Sequence, residues 1–392
     1  MIYIHVPFCR SFCTYCDFYS EVAVRCRSKE DAEAQNAKFM SFAEGIAREI
    51  KERGTEISDD INTLYFGGGT PSVLPLSVFE RILAALSEAG HGGPYEEFTV
   101  EVNPEDIVDK GEPYVKGLLD LGVNRVSMGV QSFDDGILKF MNRRHDSDVA
   151  RKAYAILENA GVENISIDLI FGLPQLSDIQ WQETLDKALA ISPSGRLPQH
   201  ISSYQLSVEP GSTLARLVEK GRFEEASEEL CERQYRMLCE RLSAAGYHHY
   251  EISNFALPGH EAKHNSAYWK HVPYAGFGPG AHSLILQGEN FVRQWNEPDL
   301  NKYLEDAVAV QEREELTDDQ VVIEKIMLAL RTSEGISSAY LHEHADPKAL
   351  SKALAAGTLI PVRCYGASEH MCFRIPESGF FISDSIISDL LP

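Results

Sequence analysis

The strongest constraint on the fold is a rhythm. Short β-branched or apolar runs alternate with amphipathic stretches, and six such runs stand at 1–6, 63–66, 98–102, 125–130, 165–171 and 200–206. Helical patterns fill the intervals at 30–53, 78–89, 114–121, 149–160 and 181–191, and glycines at 54, 90, 122 and 161 close four of them. In the first, Phe39, Phe42, Ile46 and Ile50 recur at helical spacing, and a following glycine is a common helix stop. Successive strand–helix units imply a parallel sheet with right-handed crossovers. Strands this apolar are expected where both faces of the sheet are covered. An open doubly wound sheet and a barrel then compete. Cys9, Gly68, Glu101, Gln131, Asp168 and Tyr204 fall at or near the C-terminal ends of successive strands. A barrel builds its site from many strand ends, whereas a doubly wound sheet concentrates ligand contacts at one switch point. The expected class is therefore α/β, a partial barrel of six strand–helix units.

The rhythm stops after a long helical pattern at 224–245 and a strand and turn at 246–256. From Thr317 the chain reads as three helices (321–330, 339–344, 347–355), two strand-like segments (359–363, 372–376) and a last helix (383–391). This resembles a winged helix. The chain is accordingly divided into 1–290, a barrel carrying the site, and 291–392, a small mainly helical domain with a β-ribbon. Lys and Arg are sparse in the latter, so it is read as a packing or protein-contact module. The formal charge of −23 argues against a broad nucleic-acid-binding face. No apolar run approaches the roughly 18 residues of a membrane span, and no leader pattern is visible at the start, which points to the cytoplasm.

Cys9, Cys13 and Cys16 stand in C-x3-C-x2-C spacing directly after the first strand. Three close thiolates suit an iron–sulfur cluster. On a four-iron cluster they leave one iron open to a small molecule. A structural zinc site would need a fourth ligand, for which His5 and Cys26 are nearest. Cys231, Cys239, Cys364 and Cys372, like Cys26, are scattered and read as small buried hydrophobes rather than a disulfide set. Gly67-Gly68-Gly69-Thr70-Pro71 permits close backbone approach to a ligand or simply a tight turn, and it lacks the Lys of a phosphate loop. Glu101 in an apolar strand needs a partner, either a ribose diol or a salt bridge. Gln131, Arg143 and Asp168 are polar residues in strands or in the loops that follow them.

The cysteine spacing, with Tyr15 before the last cysteine, resembles the radical S-adenosylmethionine (SAM) superfamily. The wording HVPFC…YCDFYS is similar to the branch that holds oxygen-independent coproporphyrinogen dehydrogenase and the HemW haem chaperones. The GGGTP, GVQ-x-F, N-R and D-L-I-x-G-L-P strings follow in that family's order, and the likeness covers most of residues 1–283. It implies a partial (β/α)6 barrel, a [4Fe–4S] cluster on Cys9, Cys13 and Cys16, and SAM held by Tyr3, Tyr15, Gly68, Gly69, Thr70, Glu101, Gln131, Arg143 and Asp168. It also implies an electron donor such as flavodoxin or ferredoxin.

Within that branch the dehydrogenase has a fourth cysteine in C-x3-C-x2-C-x-C and a longer extension before the cluster loop. Here Asp17 and Phe18 follow Cys16. His264-Asn265-Ser266-Ala267-Tyr268-Trp269 matches the H-N-x-x-Y-W string that HemW-like proteins associate with haem. From residues alone this is a loop histidine beside packed aromatics. By resemblance His264 is the favoured haem ligand, with His248, His249 and His282 as other candidates. The expectation is a haem chaperone that passes haem to apo-haemoproteins, membrane-bound recipients included. The alternatives are oxidative decarboxylation of coproporphyrinogen III through a 5′-deoxyadenosyl radical, and a radical SAM methyltransferase.

Overall fold

The computed structural model describes residues 1–23, 28–58, 62–305, 310–364 and 371–391. Six strands run through the first half: β1 Ile2–Val6, β2 Thr63–Gly68, β3 Glu97–Val102, β4 Arg125–Gln131, β5 Ile165–Phe171 and β6 His200–Gln205. They pair in that order, all parallel. The sheet extends at both ends. Ala275–Phe277 adds a parallel strand outside β1. The antiparallel pair Asn254–Ala256 and His248–Glu251 adds two strands outside β6. The nine-stranded order does not return on itself among the described strands.

Helices cover one face: α1 Lys29–Arg53, α2 Leu76–Glu88, α3 Pro104–Asp120, α4 Asp135–Phe140, α5 Ser147–Ala160 and α6 Asp178–Leu189. Their ends obey local chemistry. Ser28 and Asp31 form a capping box at the start of α1, and Gly161 takes φ 101° after α5. Gly54 does not adopt a left-handed cap but continues, at φ −57°, into a 3-10 turn. α3 begins ten residues before the expected 114, because Pro104 can open a helix, and Gly111 at φ 67° breaks it midway.

Strand alternation decides what each face carries. Ile4, Val6, Leu64, Phe66, Val100, Met128, Ile167, Leu169 and Ile201 are fully buried against the helices. The intervening residues are Tyr3, Tyr65, Thr99, Glu101, Arg125, Ser127, Ser166, Asp168, His200 and Ser202. The expectation of strands apolar on both faces is thus corrected: the inner face is polar. Tyr3 on β1 and Tyr204 on β6 would lie roughly 24 Å apart across a flat sheet at about 4.8 Å per strand. Both border one cavity, so the sheet is curved into a partial barrel.

Beyond the barrel, α8 Glu228–Ala244 follows α7 Thr213–Glu219, and α9 Lys263–Trp269 holds His264, which is helical rather than in a loop. His282–Gln287, Asn290–Asn296 and Val310–Glu315 form an antiparallel sheet that the sequence reading missed. Position 290 therefore lies inside a paired hairpin, and we propose Thr317, which caps the next helix, as the better division. The C-terminal unit has helices Asp318–Ala329, Ser338–His344 and Pro347–Ala356. A sheet ordered Ile336–Ser337, Met371–Arg374, Ile360–Arg363 and helix Ser383–Leu390 complete its winged-helix arrangement. Cys364 and Cys372 are joined in a disulfide across this ribbon, with Cα atoms 5.2 Å apart, contrary to the reading of both as isolated hydrophobes. They are eight apart in sequence, but the antiparallel pairing of Val362 with Cys372 brings them together. Cys26 lies outside the described residues.

Candidate functional site

The cysteine loop is laid across the C-terminal ends of β1 and β2. Phe8 anchors its base, with its ring 4.9 Å from Phe39 and 5.4 Å from Phe42 on α1. The backbone of the glycine run does the rest: Gly69 N donates to Val6 O at 2.8 Å and Thr70 N to Phe8 O at 2.7 Å. A Cβ on Gly69 would stand 2.6 Å from Val6 O and 2.7 Å from Phe8 O. Gly68, at φ +98°, would bring a Cβ to 2.4 Å from the His5 ring. The glycines thus let the cysteine loop pack against the strand end. On the far side Arg10 pairs with Asp106 at 2.8 Å and Asp109 at 2.7 Å. Thr14 N donates to Met141 O, Leu214 N to Thr14 O, and Asn142 Nδ2 to Phe12 O.

Cys9, Cys13 and Cys16 are free thiols, each partly exposed to the cavity. Two receive donors: Thr70 Oγ1 lies 3.4 Å from Cys9 Sγ, and Arg143 Nη1 lies 3.4 Å from Cys13 Sγ. Burial pushes the Cys16 thiol up to about 12, and the neighbouring Cys13 and Cys9 sulfurs add to the rise. Arg143 also donates through Nη2 to Asn103 Oδ1 and Gly129 O, both at 2.7 Å. Asn103 Nδ2 in turn donates to Thr70 Oγ1 at 3.1 Å. Asn103, unassigned from sequence, is the bridge between the two groups that touch sulfur. Its position at the end of a strand, before Pro104, was the available signal. His5 is turned away, with its nitrogens 3.0 Å from Tyr19 O and 3.2 Å from Tyr3 Oη.

Deeper in, Tyr65 Oη donates to Glu101 Oε1 at 2.6 Å. Burial lifts the Glu101 carboxyl to about 7, Tyr65 and the Gly68 N–H oppose the rise, and the Asp168 charge adds to it. Asp168 accepts from Ser127 Oγ at 3.1 Å, and burial raises its carboxyl too. Gln131 takes φ 67° where the β4–β5 register shifts. Arg125 and Arg143 each keep a buried Nε without a hydrogen-bond partner among the described residues. The twelve residues assigned to cluster and SAM, together with His264, border one cavity of about 820 Å³, as do Asn103, Arg125, His200 and Ser202, whereas the alternative haem candidates His248, His249 and His282 do not line it.

His264 is the thirteenth, and its ring is engaged on both sides. Nδ1 lies 2.9 Å from Thr63 Oγ1, Nε2 lies 3.1 Å from Tyr268 Oη, and the ring stacks on Tyr65 at 5.1 Å. Burial pulls its pKa down to about 3. The Glu97 carboxylate fixes its helix by accepting from Lys263 N and His264 N. Neither nitrogen faces open space in this conformation. His282 is the exposed histidine of the region, stacked on Trp295 at 5.9 Å.

The model of the radical SAM superfamily matches residues 3–188. The "Heme chaperone HemW" of Synechocystis sp. is 32% identical over 99% of this chain and 95% of its own length. The chain belongs to the HemW family. Its similarity to the protein of the same name from Lactococcus lactis is 35% identity over 85% of this chain and 82% of that one. In fold, the chain is similar to the HemN coproporphyrinogen III oxidase of Escherichia coli, a radical SAM enzyme. That likeness has a TM-score of 0.77 over 99% of this chain and 89% of the other, at 20% identity. No described helix is long and apolar enough to cross a membrane.

Proposed function

We propose that this HemW-family protein is a haem chaperone that binds haem and delivers it to apo-haemoproteins from a scaffold carrying a [4Fe–4S] cluster and SAM. The observation that carries the cofactor reading is the convergence of Cys9, Cys13 and Cys16 on one cavity, with Thr70 and Arg143 donating to two of the sulfurs. The residues fit the groups. Cys9, Cys13 and Cys16 would hold the cluster, since three sulfurs converging on one cavity suit iron–sulfur ligation. Glu101, aimed into the cavity, would accept the ribose hydroxyls of SAM. Gly68, Gly69 and Thr70 would meet its amino group, and Tyr3, Tyr15, Gln131, Arg143 and Asp168 would complete the surround. When bound, a reduced cluster supplies the electron that cleaves the sulfonium of SAM. A flavodoxin- or ferredoxin-type donor is the partner this implies.

Arg143 orients Asn103 and screens Cys13. The cysteine loop lines the mouth of the cavity, and Phe12 and Phe18 stay largely exposed beside it. Asp17 and Phe18, where the dehydrogenase carries its fourth cysteine, weigh against decarboxylation of coproporphyrinogen III. Haem ligation by His264 would require its ring to leave Thr63 or Tyr268.

The test is anaerobic incubation of cluster-loaded protein with SAM, a reductant and coproporphyrinogen III, with porphyrins identified by mass, and a parallel assay of haem transfer to an apo-haemoprotein. Transfer without loss of carboxyl groups is expected. Loss of two carboxyl groups per substrate would overturn the chaperone reading in favour of the dehydrogenase.

A further inference from the structure

A second group of donor atoms converges away from the cysteine loop, where the sheet edge meets the C-terminal unit. Cys239 comes from α8, His249 from the edge strand His248–Glu251, and Glu377 from the 3-10 turn Glu377–Ile382. One ligand atom from each lies within 4.8 Å of the other two. His249 Nδ1 is 2.9 Å from Glu377 Oε1 and 3.8 Å from Cys239 Sγ.

A hydrogen-bonded relay passes through the imidazole, with one partner on each nitrogen. Here the sulfur and the carboxylate both face Nδ1, so three donors share one focus. The other nitrogen is occupied: Nε2 faces the Ile252 carbonyl and the Tyr235 hydroxyl, each at 3.4 Å. The Glu377 carboxylate can only accept, so in the metal-free chain Nδ1 carries the ring proton and donates to Oε1. A bound cation would move that proton to Nε2, which already faces the Ile252 carbonyl, and free the Nδ1 lone pair. Metal-bound histidines are oriented in this way, by donating the remote N–H to a carbonyl. The ring is also held by packing, stacked at 4.0 Å on Phe255 and edge-on at 5.0 Å to Phe380. His249 is buried while Glu377 is about half exposed, so the focus opens to solvent on the carboxylate side.

We propose that Cys239, His249 and Glu377 bind a divalent metal ion of the zinc class, with water as fourth ligand. The mixture of sulfur, nitrogen and oxygen donors with one open position suits zinc. A thiolate and a carboxylate balance the dication, and the Cys239 proton passes to solvent on binding. The three ligands belong to α8, the sheet edge and the C-terminal unit, so the ion ties that unit to the barrel. The site shares no residue with the cysteine loop.

The test is a zinc titration of the full chain against a chromogenic chelator, with the cluster loaded anaerobically so that Cys9, Cys13 and Cys16 are not available to zinc. One zinc per chain is expected. Glu377→Gln, a half-exposed change that leaves the core intact, should weaken binding at least about tenfold, since loss of even an outer partner costs that much. Cobalt(II) should give a thiolate-to-metal charge-transfer band that Cys239→Ser abolishes. A chain carrying Cys9→Ala, Cys13→Ala and Cys16→Ala should give the same titration, which separates this site from the cluster. No zinc retained beyond the iron, or equal affinity in the parent and in both Glu377→Gln and His249→Gln, would overturn the proposal.

Discussion

At the scale of single residues, Glu101 is where the cavity is most sensitive to its environment. Burial lifts its carboxyl to about 7 against the pull of Tyr65 and Gly68, so near neutral pH it is divided between two forms. A neutral carboxyl gives a ribose diol a poorer acceptor than a carboxylate does. SAM affinity of the cluster-loaded chain should therefore rise by about tenfold from pH 6 to 8, the gain expected for one deprotonation centred near 7. Glu101→Gln should flatten that profile, and equal slopes for parent and variant would remove Glu101 from the ligand set. The sign for folding is the reverse. A carboxyl raised above its unfolded value favours the fold below about 4.5, and that contribution is lost as pH climbs through 7. Arg143 makes a second prediction. Arg143→Met strands Asn103 Oδ1 and the Gly129 carbonyl, so it should cost roughly 1–3 kcal/mol in denaturant unfolding and lower the iron retained per chain. Unchanged iron and unchanged stability would mean that its hydrogen bonds contribute nothing to the site.

At the scale of elements, the glycine run and the cysteine loop act as one piece. The Cβ of Gly69→Ala would meet two backbone oxygens, Val6 O and Phe8 O, which cannot swing aside as a side chain can. This variant should lose most of its iron on anaerobic reconstitution while far-UV dichroism stays near that of the parent. Gly54→Ala is the control: its φ of −57° is helical, and a Cβ there meets only Ala89 Cβ at 3.2 Å. It should stay within about 1 kcal/mol of the parent. Iron retained in full by Gly69→Ala would show that the loop tolerates displacement.

The same elements show what could be read from the chain. Six strands and most of the helices between them were legible, because apolar runs of four to seven residues and glycine stops are local signals, while the six-residue helix Asp135–Phe140 is too short to carry a period. The neighbourhood of Cys9, Thr70, Glu101 and Asp168 followed, since strand ends in a curved parallel sheet converge. The polar inner face was not legible, because Tyr65, Ser127 and Ser202 look like ordinary interruptions until the curvature of the sheet turns them inward. Ala275–Phe277 is too short to carry a period. Its place beside β1 depends on a contact some 270 residues distant in sequence. The engagement of His264 rests on Thr63 and Tyr268, and only the second is near it in sequence.

At the scale of the whole molecule, that distant contact is secured by a buried network. Glu49 and Arg53 on α1 form an ion pair, exposed by only 1% and 6% at their side chains. Glu49 Oε2 accepts from Gly278 N at 2.9 Å and Tyr303 Oη at 2.7 Å, and Asn296 Nδ2 donates to Glu49 Oε1 at 2.7 Å. Arg53 reaches Ser283 Oγ at 3.1 Å and Gly276 O at 3.2 Å. The first helix is thus tied to the last parallel strand, to the hairpin after it and to the segment beyond. Burial raises the Glu49 carboxyl, and Arg53 with these donors opposes the rise. Arg53 also pairs with Glu56 at 2.8 Å, so removing the Glu49 charge leaves the guanidinium partly compensated but short of one partner. It also weakens the bonds from Gly278, Tyr303 and Asn296, for a loss of about 1–3 kcal/mol. Glu49→Gln should therefore lower the unfolding free energy of the full chain, read by denaturant titration, by that amount. Replacing both partners, Glu49→Gln with Arg53→Met, removes the guanidinium left short of a partner and should recover part of the loss. If the double variant were as unstable as the sum of the two single changes, the network would act only through packing. Recovery would show that the ends of the sheet are held by a matched pair of charges.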